Sequence, residues 1–228
     1  MGGIYVETVI AVPLTAIWQA TQDPGNQCRW DARFSRIDPV PGTTPAQFRY
    51  ITAVLPGVKI GGFGIHAGQR GRPDGTCTSA LRFGSADRRS LIAAGRGYWR
   101  YVPGPRGVRF LTGYEYTPRW GALGRLIDVM FRPLFGWATA WSFDRLRLWL
   151  ERGVPPERAL RNARRQVALR AAAVTLVAAL DVGVVAVVLT SLVLLVLPPD
   201  RNTPAARRCR RRPPDRLAAR APSLLETL

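Results

Sequence analysis

The chain has 228 residues and a formal net charge of +18, carried almost wholly by arginine because Lys59 is the only lysine. That length suits one domain of ordinary size with an extension and leaves little room for two. In a chain rich in Arg, Ala, Gly and Pro, arginine serves as the default cation; between Arg29 and Arg147 it stands almost always singly, interleaved with Asp and Glu, which argues against a nucleic-acid surface.

Residues 4–11, IYVETVIA, alternate and are β-branched, the pattern of a strand. Pro13 opens PLTAIWQATQ, where a proline suits the first helical turn and Leu14, Ile17 and Trp18 share a face. DPGNQCRWD follows, a turn with a short helical piece that ends at Trp30. Six strands are then predicted: FSRIDPV, QFRYITAVL, VKIGGFGIHAG, TCTSALRFG, SLIAAGRGYWRYVP and GVRFLTGYEYTP. Gly- and Pro-rich turns such as PGTTPA, QRGRPDG and GPRG separate most of them, and short spacings of this kind build an antiparallel meander. From Trp120 to Arg152 the apolar period becomes helical, through Leu123, Leu126, Ile127, Met130, Leu134, Trp137, Trp141 and Leu148. Pro133 is expected to break or kink this helix, and Gly153 with Pro155 and Pro156 to stop it.

Val174 to Leu197 is a continuous apolar run, long enough at about 1.5 Å per residue to cover a hydrocarbon core of roughly 30 Å. Asp181 interrupts it, at about 2.5–3.5 kcal/mol for an acid at mid-membrane, against about 0.3–0.6 kcal/mol credited to each of sixteen Leu and Val residues. The run therefore predicts one transmembrane helix over 171–198, with RALRNARRQVALR before it and RRCRRRPPDR after it. These basic flanks nearly balance, so the side taken by the tail is open. MGGIYVETVIAVPL lacks a basic n-region and has Val6 where a myristoylation site needs Ser or Thr, so the main domain is expected to stay cytoplasmic on a single-pass anchor. Arg164, Arg165, Arg207, Arg208, Arg210, Arg211 and Arg212 are candidates for contact with anionic lipid.

The order is strand, two short helices, six strands and one long helix. An antiparallel sheet must bury one face, and only the final helix is long enough to cover it. The chain thus resembles the SRPBCC superfamily, the START-related, polyketide cyclase/dehydrase and lipid-transport-like proteins. VETVIAVPLTAIWQATQDPGNQCRWD at the start, with YWRYVP, GVRFLTGYEY and GWATAWSFDRLRLWLERG at the end, carry the resemblance over about residues 4–152. It implies an α+β helix-grip fold, a curved antiparallel sheet wrapped on a long helix, with a cavity between the two. The expected organisation is a ligand-binding domain over 1–152, a basic linker over 153–170, the transmembrane helix over 171–198 and a disordered Arg/Pro-rich tail over 199–228.

Alternation in GVRFLTGYEY places Val108, Phe110, Thr112, Tyr114 and Tyr116 on one face, and Trp99 and Tyr101 share a face of the preceding strand. Trp99, Tyr101, Phe110, Thr112, Tyr114 and Tyr116, with Trp137 and Trp141 of the helix, are the expected cavity lining; filling the core is the alternative for each ring. The hydroxyls of Tyr114 and Tyr116 would then need partners. The expected function is membrane-anchored binding of a hydrophobic or amphipathic small molecule or lipid, and a cyclase- or dehydratase-like enzyme acting in the same cavity is the alternative. For that enzyme Glu7, Glu115 and His66 are the candidate acids and bases, but period two turns both glutamates outward, and His66 in GGFGIHAG reads as a structural strand-end residue. One histidine and the widely spaced Cys28, Cys77 and Cys209 offer no metal centre and no C-x-x-C pair, and no cofactor is expected. The ligand, the role of Asp181 and the oligomeric state are not readable from the residues.

Overall fold

The computed structural model describes residues 3–55, 57–214, 218, 221 and 222. Chain order is β1 (Ile4–Ile10), α1 (Leu14–Gln22), α2 (Pro24–Trp30), β2 (Arg36–Val40), β3 (Gln47–Leu55), β4 (Val58–Gly71), β5 (Cys77–Gly84), β6 (Ile92–Gly104), β7 (Gly107–Pro118), α3 (Gly121–Arg152), α4 (Pro156–Ala179) and α5 (Val184–Val196), followed by a 3-10 turn at Ala206–Arg208. The strands form a single antiparallel sheet in the order β1-β7-β6-β5-β4-β3-β2. β2 to β7 are the predicted meander, and β1 closes onto β7 with Val6 opposite Thr112 and Thr8 opposite Phe110.

The inner face of the sheet packs on α1, α2 and α3. Phe110 stacks on Phe143 of α3 with centroids 4.4 Å apart, and Trp30 meets both Phe143 and Trp99. The Trp30 indole donates to the Ala20 carbonyl at 3.0 Å, which joins α2 to α1 and satisfies a fully buried N–H. This is the helix-grip arrangement that the element order implied. Pro133, however, does not interrupt α3, which is continuous from Gly121 to Arg152. Proline removes the hydrogen bond to the carbonyl of Val129, but both residues lie on the exposed side, where water can serve that carbonyl. Gly153 ends the helix with a φ of 60°, a left-handed cap, and its N–H donates to the Leu148 carbonyl.

The single helix expected over 171–198 is absent. α4 runs without a break through most of the expected linker and the first quarter of the apolar stretch; the chain then turns at 180–183, with a φ of 50° at Asp181 and 92° at Gly183, and α5 follows. Gly183 takes the backbone conformation that a side chain would resist, and it is what lets the apolar run fold into two helices. Among the described residues no helix is long and apolar enough to cross a membrane.

The tail also departs from expectation. Residues 203–206 and Cys209 are buried rather than disordered. The Ala205 N–H and the Arg208 guanidinium both donate to Asp144 of α3, at 2.8 and 3.0 Å. Glu7 and Arg210 exchange two backbone hydrogen bonds of 2.8 Å, so the tail covers the free edge of β1. The rest of the expected tail, 215–217, 219–220 and 223–228, lies outside the described residues.

Candidate ligand cavity

Where Trp30, Tyr101, Phe110 and Phe143 meet, the interior is filled; between the ends of α1 and α2, the outer strands and the N-terminal half of α3 it is not. A cavity of about 470 Å³ lies there, within the range of sites for small organic ligands. Phe48 and Tyr50 of β3, Leu81 and Phe83 of β5 and Phe131 and Phe135 of α3 supply much of its apolar wall. Val54 and Leu134, which also line it, are exposed and mark an opening between the outer strands and α3.

Of the expected lining residues, Trp99, Thr112 and Tyr114 reach the wall. Tyr101 and Phe110 do not: they stack on each other at 5.0 Å in the filled part of the core. Tyr101 is held by Thr21 at 2.7 Å and Gln22 at 3.0 Å, and burial raises its phenol pKa. Tyr116 is buried against α3 and donates to Asp128, which Arg132 also clasps at 2.7 Å. Trp141 packs on the Arg145 guanidinium, and Trp137 lies on the outer side of α3, 47 % exposed. Period two placed these strand residues on the correct face, but which of them border empty space depends on where α3 crosses.

Tyr114 does not offer its hydroxyl to the cavity. Its oxygen lies 2.7 Å from Thr139, and because Thr139 donates its one hydrogen to the Phe135 carbonyl at 2.9 Å, Tyr114 must be the donor. Burial raises its phenol pKa, with the nearby Arg33 pulling the other way. Thr112 likewise donates to the Tyr98 carbonyl at 2.9 Å.

The charged group in the wall was not anticipated. Arg33 lines the cavity and is clasped by both carboxylate oxygens of Asp31, at 2.9 and 2.6 Å. Its guanidinium lies over the rings of Tyr114 and Phe135, 5.6 and 5.7 Å from their centroids. Burial alone would lower its pKa, but the Asp31 carboxylate outweighs that and keeps Arg33 firmly protonated. Arg33 thus puts a cationic spot, balanced by Asp31 behind it, in the wall, and Arg89, paired with Asp87 at 2.8 Å, also lines the cavity. A D-x-R spacing after the turn at Trp30 was the available signal, and it is too common to be read unaided.

His66 is also on the wall, where its ring lies 5.4 Å from Phe48. Its backbone sits at a register shift between His66 and Gly68, and burial lowers its imidazole pKa, so the ring is neutral near pH 7. Tyr50, also on the wall, has its phenol pushed up to about 12 by burial and donates to the Gly84 carbonyl at 3.3 Å. Glu115 is exposed beside Arg96, as alternation required. Glu7 is not in water, although it does face outward: the returning tail and Arg109, 3.0 Å away, cover it, and Tyr5 donates to it. Neither glutamate lines the cavity. Among the described residues no group of His, Cys, Asp or Glu is placed to hold a metal ion.

No protein-family model matches the chain. It is 44% identical over 165 residues to the uncharacterized membrane protein YndG of Bacillus subtilis (strain 168), an alignment covering 70% of this chain and 61% of that relative. The chain therefore spans less than two thirds of that relative's length. Among solved structures, the di-domain ARO/CYC StfQ from the steffimycin biosynthetic pathway aligns with a TM-score of 0.52 at 13% identity, over 66% of this chain and 50% of StfQ. That likeness shows a shared fold. TTHA0849 from Thermus thermophilus aligns at 0.48 with 14% identity, over 64% of this chain and 94% of its own; the fold assignment rests on StfQ.

Proposed function

We propose that this protein binds a hydrophobic or amphipathic small molecule or lipid in the cavity between sheet and α3, and does so in association with a membrane. The cavity itself carries this reading: it is of ligand size, its wall is mainly aromatic and aliphatic, and its few polar groups, Arg33 and His66 foremost, suit a ligand with one polar or anionic end. The tyrosine and threonine hydroxyls nearest to it are satisfied within the protein, so they set the shape of the wall rather than present donors. The name of YndG supports the membrane part of the reading.

Native mass spectrometry of the detergent-extracted full chain tests it. The wild type should carry a co-purified hydrophobic mass that Ala138→Trp, which fills the cavity, lacks. A fluorescent fatty acid should bind the variant at least about tenfold more weakly, since a blocked pocket forfeits several buried methylenes of about 0.8 kcal/mol each. Equal binding by both proteins would overturn the reading.

One observation favours a second reading, catalysis in the same cavity: a neutral imidazole stands on a mainly apolar wall, where it could accept a proton from a bound substrate. A chemically altered co-purified mass that accumulates unaltered in His66→Gln would favour the enzyme over the binder.

A further inference from the structure

We propose that α4 and α5 form a hairpin that enters one leaflet of an anionic bilayer and returns the chain to the side from which it came. This rests on the membrane association proposed above and specifies how that association is made.

The geometry of the hairpin sets its depth. Arg170 of α4 donates to the Leu197 carbonyl at the end of α5, at 2.7 Å, so those two positions stand at one level. From that level the arms run ten residues to Leu180 and thirteen along α5, about 15 and 20 Å at helical rise. A hydrocarbon core is about 30 Å thick, so the tip reaches the middle of the bilayer and not its far side.

The surface of the hairpin identifies what covers it. No residue of α5 is buried, and Val184, Leu189, Leu192 and Leu195 are each more than half exposed. A protein partner would cover one face of such a helix; lipid solvates it all round. At the base the chemistry reverses: Arg161, Arg164 and Arg165 are exposed on α4, and Arg207 of the tail, also exposed, donates to the Val196 carbonyl at 3.5 Å. A collar of this charge, from that level to about 14 Å on its domain side, complements anionic headgroups.

The return to one side follows from two neighbouring residues of α3. Arg145 donates to the Pro156 carbonyl at 2.9 Å and so holds the start of α4, while Asp144 holds Ala205 and Arg208 beyond α5. Both ends of the hairpin are thus fastened to the same turn of one helix. A chain that crossed the bilayer would have to break the second set.

The full chain with Cys28, Cys77 and Cys209 replaced by Ser, bound to sealed vesicles, carries the test. New cysteines are placed singly at Arg158→Cys, Val182→Cys and Pro214→Cys and treated with a membrane-impermeant maleimide from outside. Arg158→Cys and Pro214→Cys should both react, and Val182→Cys should react only after detergent is added. A Pro214→Cys that reacts only once the vesicles are opened, or a Val182→Cys that reacts while bound, overturns the proposal. Phosphatidylcholine vesicles containing phosphatidylglycerol should bind far more protein than phosphatidylcholine alone, with about fivefold lost for each of Arg164→Gln and Arg165→Gln; equal binding to the two vesicle types overturns the collar. In the native-cysteine chain Asp181→Asn should tighten vesicle binding by about tenfold or more, because the acid is the deepest group, and an unchanged affinity places the tip in water. A fluorescent fatty acid titrated into the same samples reports the cavity separately, so a failure of ligand binding with the labelling pattern intact leaves the hairpin standing.

Discussion

At the scale of single residues, the Asp31–Arg33 pair sets a charge into the cavity wall. Asp31 is fully buried and its partner nearly so. Replacing Asp31 with Ala should therefore cost about 3–5 kcal/mol in urea unfolding, because an unpaired guanidinium would remain in the wall. His66 acts with the opposite sense of charge. Its pKa is lowered in the folded chain, so the unfolded chain takes up a proton first as pH falls. The stability that its neutral ring contributes is complete above the unfolded value of about 6.5 and is lost as pH drops through the lower folded value. Melting temperature measured from pH 8 to pH 5 should fall less steeply in His66→Gln than in the wild type. At this scale the sequence showed which way strand residues point, and Thr112 and Tyr114 lie inward as alternation required. It could not separate Tyr114 on the cavity wall from Phe110 in solid core two registers away, since both obey the same period.

At the scale of elements, the returning tail is the clearest case of a structure that composition conceals. An Arg/Pro-rich segment has too little apolar surface to fold alone, yet Ala205, Ala206 and Cys209 bury against α3 and β1 because the hairpin delivers them there. Asp144 is the fastening: it takes Ala205, Arg208 and Arg147, and its carboxylate is fully buried. Asp144→Ala should destabilise the protein by about 3–5 kcal/mol. Amide exchange should accelerate most over 203–210, while β4 and β5 retain their protection. Uniform acceleration over the whole sheet would mean that Asp144 supports α3 alone. Pro133 teaches a related lesson: the cost of proline inside a helix depends on whether the abandoned carbonyl meets water, and that is decided by which side of α3 faces the sheet.

On the scale of the whole molecule, the domain and hairpin present an unusual amount of apolar surface. Leu123, Leu126, Met130, Leu134 and Trp137 are exposed along the N-terminal half of α3, beside the cavity mouth, in addition to the hairpin itself. Contiguous apolar surface of this extent drives self-association in water. The full chain should elute as large, polydisperse assemblies in size-exclusion chromatography with light scattering when detergent is withheld, and as a single species of constant protein mass above the critical micelle concentration. A monodisperse monomer in plain buffer would show that the hairpin is covered by the protein itself. The element order, the inward face of each strand, the long gripping helix and the apolarity of 174–197 were legible in the sequence, because each depends on the period or composition of a few adjacent residues. The reversal at Asp181–Gly183, the docking of the tail on Asp144, the Arg33 clasp and the division of the interior into core and cavity were decided by tertiary structure. Each of those depends on groups far apart in the chain meeting in space, and neither hydropathy nor alternation records such meetings.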